Sequence, residues 1–242
     1  MPLIKAIEVF ATKFEILVFS QPGVGKTTLF AGAPRALFIE VDDNGATVLQ
    51  DHDNAEHLLV FHTRSWSELA TFVSGLARNP ILRDVDTIVV DTISECQTLE
   101  RLKQIGGSPL TDEAWKFNQN VYSKNNFKVM ALVRAIKQTK KNVVWNCHVT
   151  IETLGEGKEA EKLIRPSLSA TLLSQVQANI DGQFYYRRDG ANRILDTDGL
   201  GEVQTKSRFK KARPFVNPTW DKLAPYLHSR MKPTTETKGT ES

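Results

Sequence analysis

Four short apolar runs, at residues 14–19, 36–41, 86–90 and 142–147, punctuate the first two-thirds of the chain. Each has the length of a strand buried on both faces and is too short for a helix. Between them lie stretches with helical spacing. Lys26–Ala31 should form a helix that stops near Gly32 and Pro34. In 66–77, Trp66, Leu69, Phe72, Val73 and Leu76 share one face, and 127–139 repeats the pattern through Val129, Ala131, Leu132 and Ala135. Alternating strands and helices imply a mostly parallel sheet flanked by helices, because parallel neighbours need a long crossover. The expected fold class is therefore α/β.

The final third changes character. Residues 182–188, 193–197 and 202–208 are short strand-like runs separated by Asp189-Gly190 and Asp198-Gly199. Those pairs favour tight hairpin turns, so a C-terminal β-meander is expected at about 182–208. Residues 1–228 should form one domain, and the polar, Thr-rich segment 229–242 a disordered tail.

Composition narrows the function classes. With 40% hydrophobic and 24% charged residues, the chain is neither fibrous nor intrinsically disordered. A net charge of +3 is too small to name a partner. The two cysteines, Cys96 and Cys147, offer no metal spacing and no disulfide framework, which fits a reducing cytosol. No apolar run approaches the roughly 18 residues of a membrane span, and the first ten residues lack a signal-peptide core. A cytoplasmic protein with no membrane partner is expected.

The first strand runs into Ser20-Gln21-Pro22-Gly23-Val24-Gly25-Lys26-Thr27. This is the phosphate-loop pattern G-x-x-x-x-G-K-[ST] with Ser in place of the first Gly. The loop works through backbone N–H groups that curl around a phosphate. Gly23 and Gly25 allow close approach, Lys26 reaches the outer phosphates, and Thr27 ligates Mg²⁺. Gln21 to Thr28 are the expected nucleotide contacts. The bland alternative is a Gly-rich turn that happens to contain Lys-Thr. A second motif supports the nucleotide: Asp91 ends the apolar strand Ile88-Val89-Val90, where a carboxylate can hold the Mg²⁺ water shell opposite Thr27.

Two further strand ends carry candidate catalytic groups. Glu40, Asp42 and Asp43 follow the strand at 36–41, and Glu40 and Asp42 point to the same side. Either could polarise an attacking water, with Asp42 favoured; otherwise they form a solvated acidic turn. His148 ends the strand at 142–147, where it could touch a terminal phosphate.

Together these residues resemble the core of the RecA-type recombinase ATPases, a group within the wider P-loop class that includes DnaB-like helicases. Asp91 in Thr87-Ile88-Val89-Val90-Asp91-Thr92 is similar to the second nucleotide motif of that family. Asp42 falls where the family carries a catalytic Glu, and His148 where it carries a sensing Gln or His. The short first helix resembles the phage Sak-type single-strand-annealing proteins, over roughly residues 14–208. Ser20 for Gly and Asp42 for Glu depart from the pattern, and the second bears on hydrolysis rate.

The resemblance implies a RecA-like domain that uses ATP and Mg²⁺ and assembles with itself into a ring or filament. It also implies binding to single-stranded DNA, with annealing or recombination as the outcome and a single-strand DNA-binding protein as a candidate partner. If the chain is phage-encoded, its compartment is the bacterial host cytoplasm. The loop after His148 offers Lys158, Lys162 and Arg165 as DNA contacts, diluted by Glu152, Glu156, Glu159 and Glu161. Lys206 and Arg208 share a strand face and resemble the Lys-x-Arg fingers that related ATPases insert into a neighbour's site; the alternative is a basic edge strand. Lys210, Lys211 and Arg213 could line a nucleic-acid groove, with Phe209 or Phe215 for base stacking. A ring-forming motor and a small-molecule kinase are the competing readings.

Overall fold

The computed structural model describes residues 13–42, 45–106, 119–155, 161–199, 201–209 and 213–229. Asp43, Glu156, Lys158, Glu159, Lys210, Lys211 and residues 230–242, which include nearly all of the expected tail, lie outside the described residues. In chain order the elements are β1 (Glu15–Ser20), α1 (Lys26–Ala31), β2 (Ala36–Glu40), α2 (Gly45–Gln50), β3 (Leu59–His62), α3 (Trp66–Leu76), β4 (Thr87–Asp91), α4 (Ile93–Gln104), α5 (Gln119–Lys137) and β5 (Asn142–Leu154). They continue with β6 (Glu161–Pro166), α6 (Ala170–Asn179), β7 (Gly182–Asp189), β8 (Asn192–Asp196), β9 (Lys206–Ser207), β10 (Phe215–Val216) and α7 (Trp220–His228).

One sheet runs β10-β8-β7-β1-β5-β4-β2-β3, with β6 beside β5 and β9 beside β7. The β1, β2, β3, β4, β5 and β7 strands are mutually parallel where they pair, as the alternation requires. Every residue of β1, β2 and β4 is buried, which is why those strands read as unbroken apolar runs. Their side chains feed two packed groups. Leu17, Phe19, Ile39, Val90 and Trp145 meet α3 to α6 on one face. Ile16, Val18, Phe38, Val89 and Val144 meet α1 and α7 on the other. Burying each such side chain contributes about 1.5–3 kcal/mol. Two helix starts carry side-chain caps: Ser65 accepts from Glu68 N–H at 3.4 Å before α3, and Thr92 accepts from Glu95 N–H at 3.2 Å before α4.

Two expectations need correction. Strand β5 does not end at Cys147. It runs on to Leu154, because past His148 it exchanges its parallel neighbours for antiparallel β6. His148 is thus the last residue in parallel register rather than a strand terminus. The C-terminal strands are not a meander. Asp189-Gly190 does form a tight hairpin, with Gly190 at φ +57° where an L side chain would be strained. However, β9 returns to the edge of β7 instead of adding outside β8, and β10 takes that outer place. The run 202–208 contributes only Lys206–Ser207 as strand, while Val203 bridges Ile164 of β6. Finally, α7 closes the second packed group, with Trp220 against Phe14 and Phe30. Among the described residues no helix is long and apolar enough to cross a membrane.

Candidate functional site

The carboxyl ends of the parallel strands gather the site. Register places Ser20 beside His148, Asp91 beside Asn146, and Glu40 beside Asp91. A cleft of about 340 Å³ opens there, lined by Pro22, Gly23, Gly25 and Lys26 to Thr28 of the loop, with Asp42, Asp91, His148, Val48 and Arg193 among its walls. Val24 turns into the core instead, and Gln21 is not in the lining. Gly23 and Gly25 both hold positive φ, at +73° and +105°, so the loop curls in a way that side-chain-bearing residues rarely adopt.

Lys26 is buried and donates from Nζ to Ser20 Oγ at 2.7 Å. Ser20 in turn donates to the Gln21 carbonyl at 2.7 Å. The residue that breaks the motif therefore holds the motif's lysine. Burial pushes the Lys26 amine below its ordinary pKa, partly offset by the Asp91 carboxylate. Thr27 Oγ1 donates to Asp91 Oδ2 at 2.7 Å, joining the two expected Mg²⁺ contacts. Burial pushes Asp91 upward, while the Thr27 hydroxyl, Lys26 and Asn146 pull it down. A hydroxyl and one carboxylate are hard oxygen donors that suit Mg²⁺ completed by phosphate oxygens and water. Among the described residues no cluster of His, Cys, Asp and Glu could cage a metal without such help.

The far wall separates the two acidic candidates. Asp42 reaches the cleft, with Oδ2 at 3.5 Å from His148 Nε2. Glu40 is fully buried behind it, beside His62, and a Cβ on Gly45 would land 2.1 Å from its Oε1. Glu95 was not anticipated. It lies 4.0 Å from His148 Nε2, and burial raises its pKa against the pull of His148. The pattern Thr92-x-x-Glu95, a helix-capping signature, could have drawn attention to it. Ser94 Oγ accepts from the His148 backbone N–H at 3.1 Å and ties α4 to the strand carrying the histidine.

The remaining candidates sit elsewhere. Lys206 donates to the Gln177 carbonyl and Arg208 to the Ala178 carbonyl at 3.3 Å, so both hold the C-terminal turn of α6. Register sets Lys206 beside Gln183, which faces Leu17, below the level of the cleft. Arg165 is engaged by Glu152 and by the Leu168 carbonyl at 2.8 Å, which removes it as a free DNA contact. Lys162 and Arg213 are exposed. Phe209 is buried against Phe184 and Tyr226 and presents no face for a base, while Phe215 is half-buried and packs at a tilt on Tyr226.

A phosphate loop on a parallel sheet, with a Thr–carboxylate pair beside it, defines a P-loop ATPase-type domain. The AAA domain family matches residues 12–209, and the chain belongs to that family. A comparison with curated proteins gave no match.

Proposed function

We propose that the protein binds Mg²⁺-ATP in this cleft and hydrolyses it, and that it is a RecA-like ATPase acting on single-stranded DNA. The observation that carries the hydrolytic reading is the placement of Asp42 and His148 across the cleft from Lys26 and Thr27. Strand β5 lies between the loop strand β1 and the Asp91 strand β4, which brings His148 to the cleft with Lys26 and Asp91. Lys26 exchanges Ser20 for phosphate oxygens. Asp42 takes the proton of the attacking water, the water oxygen bonds to phosphorus, and ADP leaves. Thr27 and Asp91 would hold Mg²⁺, which when bound would supply charge neutralisation on the phosphates. His148 contacts the terminal phosphate from β5.

The DNA reading rests on the β5–β6 hairpin, which continues directly from His148 and carries the exposed Lys162. Annealing or strand exchange by a self-assembled ring or filament, in the manner of the phage Sak-type proteins, is the activity we propose. A duplex-unwinding motor is the alternative. Phosphate release measured with and without single-stranded DNA, beside electron microscopy of the same samples, tests it. Stimulation by DNA together with ordered assemblies is expected. Turnover indifferent to DNA would remove the DNA reading, and turnover undiminished in a folded Lys26→Ala protein would remove the site.

A further inference from the structure

Arg193 was not singled out by any motif, yet it lines the phosphate cleft. Its guanidinium lies across Gly25: a Cβ there would sit 3.1 Å from Arg193 Cζ and 3.2 Å from Nη1. The backbone is fixed from both sides. Arg193 N–H donates to Asn217 Oδ1 at 2.9 Å, and Asn217 N–H donates to the Arg193 carbonyl at 2.7 Å. Burial raises the pKa of the Tyr186 hydroxyl, which lies near enough for the Arg193 charge to pull it back down.

The neighbourhood lacks what a structural arginine needs. Directly opposite on β7, in register, stands Arg188, whose Nη2 reaches the Gly23 carbonyl at 3.4 Å. Like charges paired across strands are unfavourable. Among the described residues neither arginine has an acidic partner within ion-pair distance, whereas adjacent Arg187 has both Asp189 and Asp196. Two unneutralised guanidiniums over a phosphate loop are complementary to an anion lying in it.

Sheet order says which part of that anion. Asp42, Asp91 and His148 reach the cleft from β2, β4 and β5, all on one side of β1. Arg193 comes from β8, on the other side. The bond that breaks lies among the carboxylates and His148, so the opposite end holds the phosphate nearest the nucleoside. We infer that Arg193 is a binding residue that clamps this inner phosphate in cis, gripping ATP and ADP alike and taking no part in bond cleavage. The inference rests on the ATP reading of the cleft.

Affinities of Arg193→Met for ATP and ADP, measured by titration calorimetry, and steady-state turnover test it. Both affinities should fall by the same factor, about 10- to 100-fold for loss of a charge-assisted contact. KM should rise with kcat nearly unchanged, and Arg193→Lys should recover part of the loss. Unchanged ADP affinity with reduced kcat would overturn the inference in favour of action on the terminal phosphate. Unchanged affinities with a lower melting temperature would overturn it in favour of a structural role, and calorimetry on Arg193→Lys repeats the test if the Met variant does not fold. Wild-type protein that binds neither nucleotide would instead sink the ATP reading itself.

Discussion

Lys26 donates its amine to Ser20 Oγ over 2.7 Å, inside the motif that Ser20 interrupts. In the proposed function, phosphate oxygens replace this bond when ATP enters the cleft. Ser20→Ala should therefore destabilise the empty protein by about 1–3 kcal/mol, the cost of a buried donor left unsatisfied. The nucleotide-bound form should be nearly unaffected, so ATP should bind about 5- to 150-fold more tightly. Thermal unfolding with and without ATP checks both halves. An equal loss of stability in the two states would mean that Lys26 keeps Ser20 when the cleft is filled.

Asp42 and Glu40 are separated by burial, and their substitutions should part accordingly. Asp42→Asn should keep ATP binding and slow turnover by about 10²-fold or more, as for a lost general base. Glu40→Gln, behind the cleft and against Gly45, should change stability more than rate. Single-turnover hydrolysis beside a binding titration distinguishes them, and a rate defect confined to Glu40→Gln would reverse the assignment.

Lys206 and Arg208 hold the last carbonyls of α6 within their own chain. Alanine at both should cost about 1–2 kcal/mol of stability, the scale of two hydrogen bonds to charged groups with partial exposure. Turnover per folded chain should change little. Mixing this variant with Asp42→Asn offers the decisive contrast. A loss of about 10³-fold in this variant alone, recovered in co-assembled mixtures, would assign the pair to a neighbour's nucleotide instead.

Glu15 supplies a pH signature away from the cleft. Burial raises its pKa, with Lys137 at 3.2 Å and the Trp145 indole N–H at 3.1 Å pulling it back. A carboxyl whose folded pKa lies above its unfolded value stabilises the fold below the unfolded pKa. That contribution is lost as pH rises through the folded value. Glu15→Gln keeps an acceptor for Trp145 and removes the buried charge. It should raise the urea midpoint at pH 8 and change it little at pH 4. A lower midpoint at pH 8 would show that the Lys137 pair outweighs burial.

What could be read in advance follows from how local each signal is. The helix Lys26–Ala31 and the strands around Phe19, Phe38 and Val89 are set by short apolar runs and by Gly23 and Gly25, so the loop and its Asp91 partner were legible. Strand β3 was missed because it is an edge whose residues are alternately half-buried and exposed. Helix α4 was missed because its buried face carries Gln97 and Glu100, which are polar and held by Asn125 and Lys128. Arg193 was illegible for a topological reason. Only the pairing of β7 with β1 brings residue 193 to residue 25, and no local pattern reports a pairing across that much chain.

The sheet's division of the interior gives the two sides different evolutionary freedom. The group behind α3 to α6 can exchange one apolar shape for another, as Leu69 and Ile136 lie away from the phosphate loop. The group under α7 includes Val24 and Leu29, which carry the loop itself, so Leu223 and Leu227 are bound to it by shared packing. Drift should thus run unevenly through the molecule, with the last helix as slow to change as the motif it shelters.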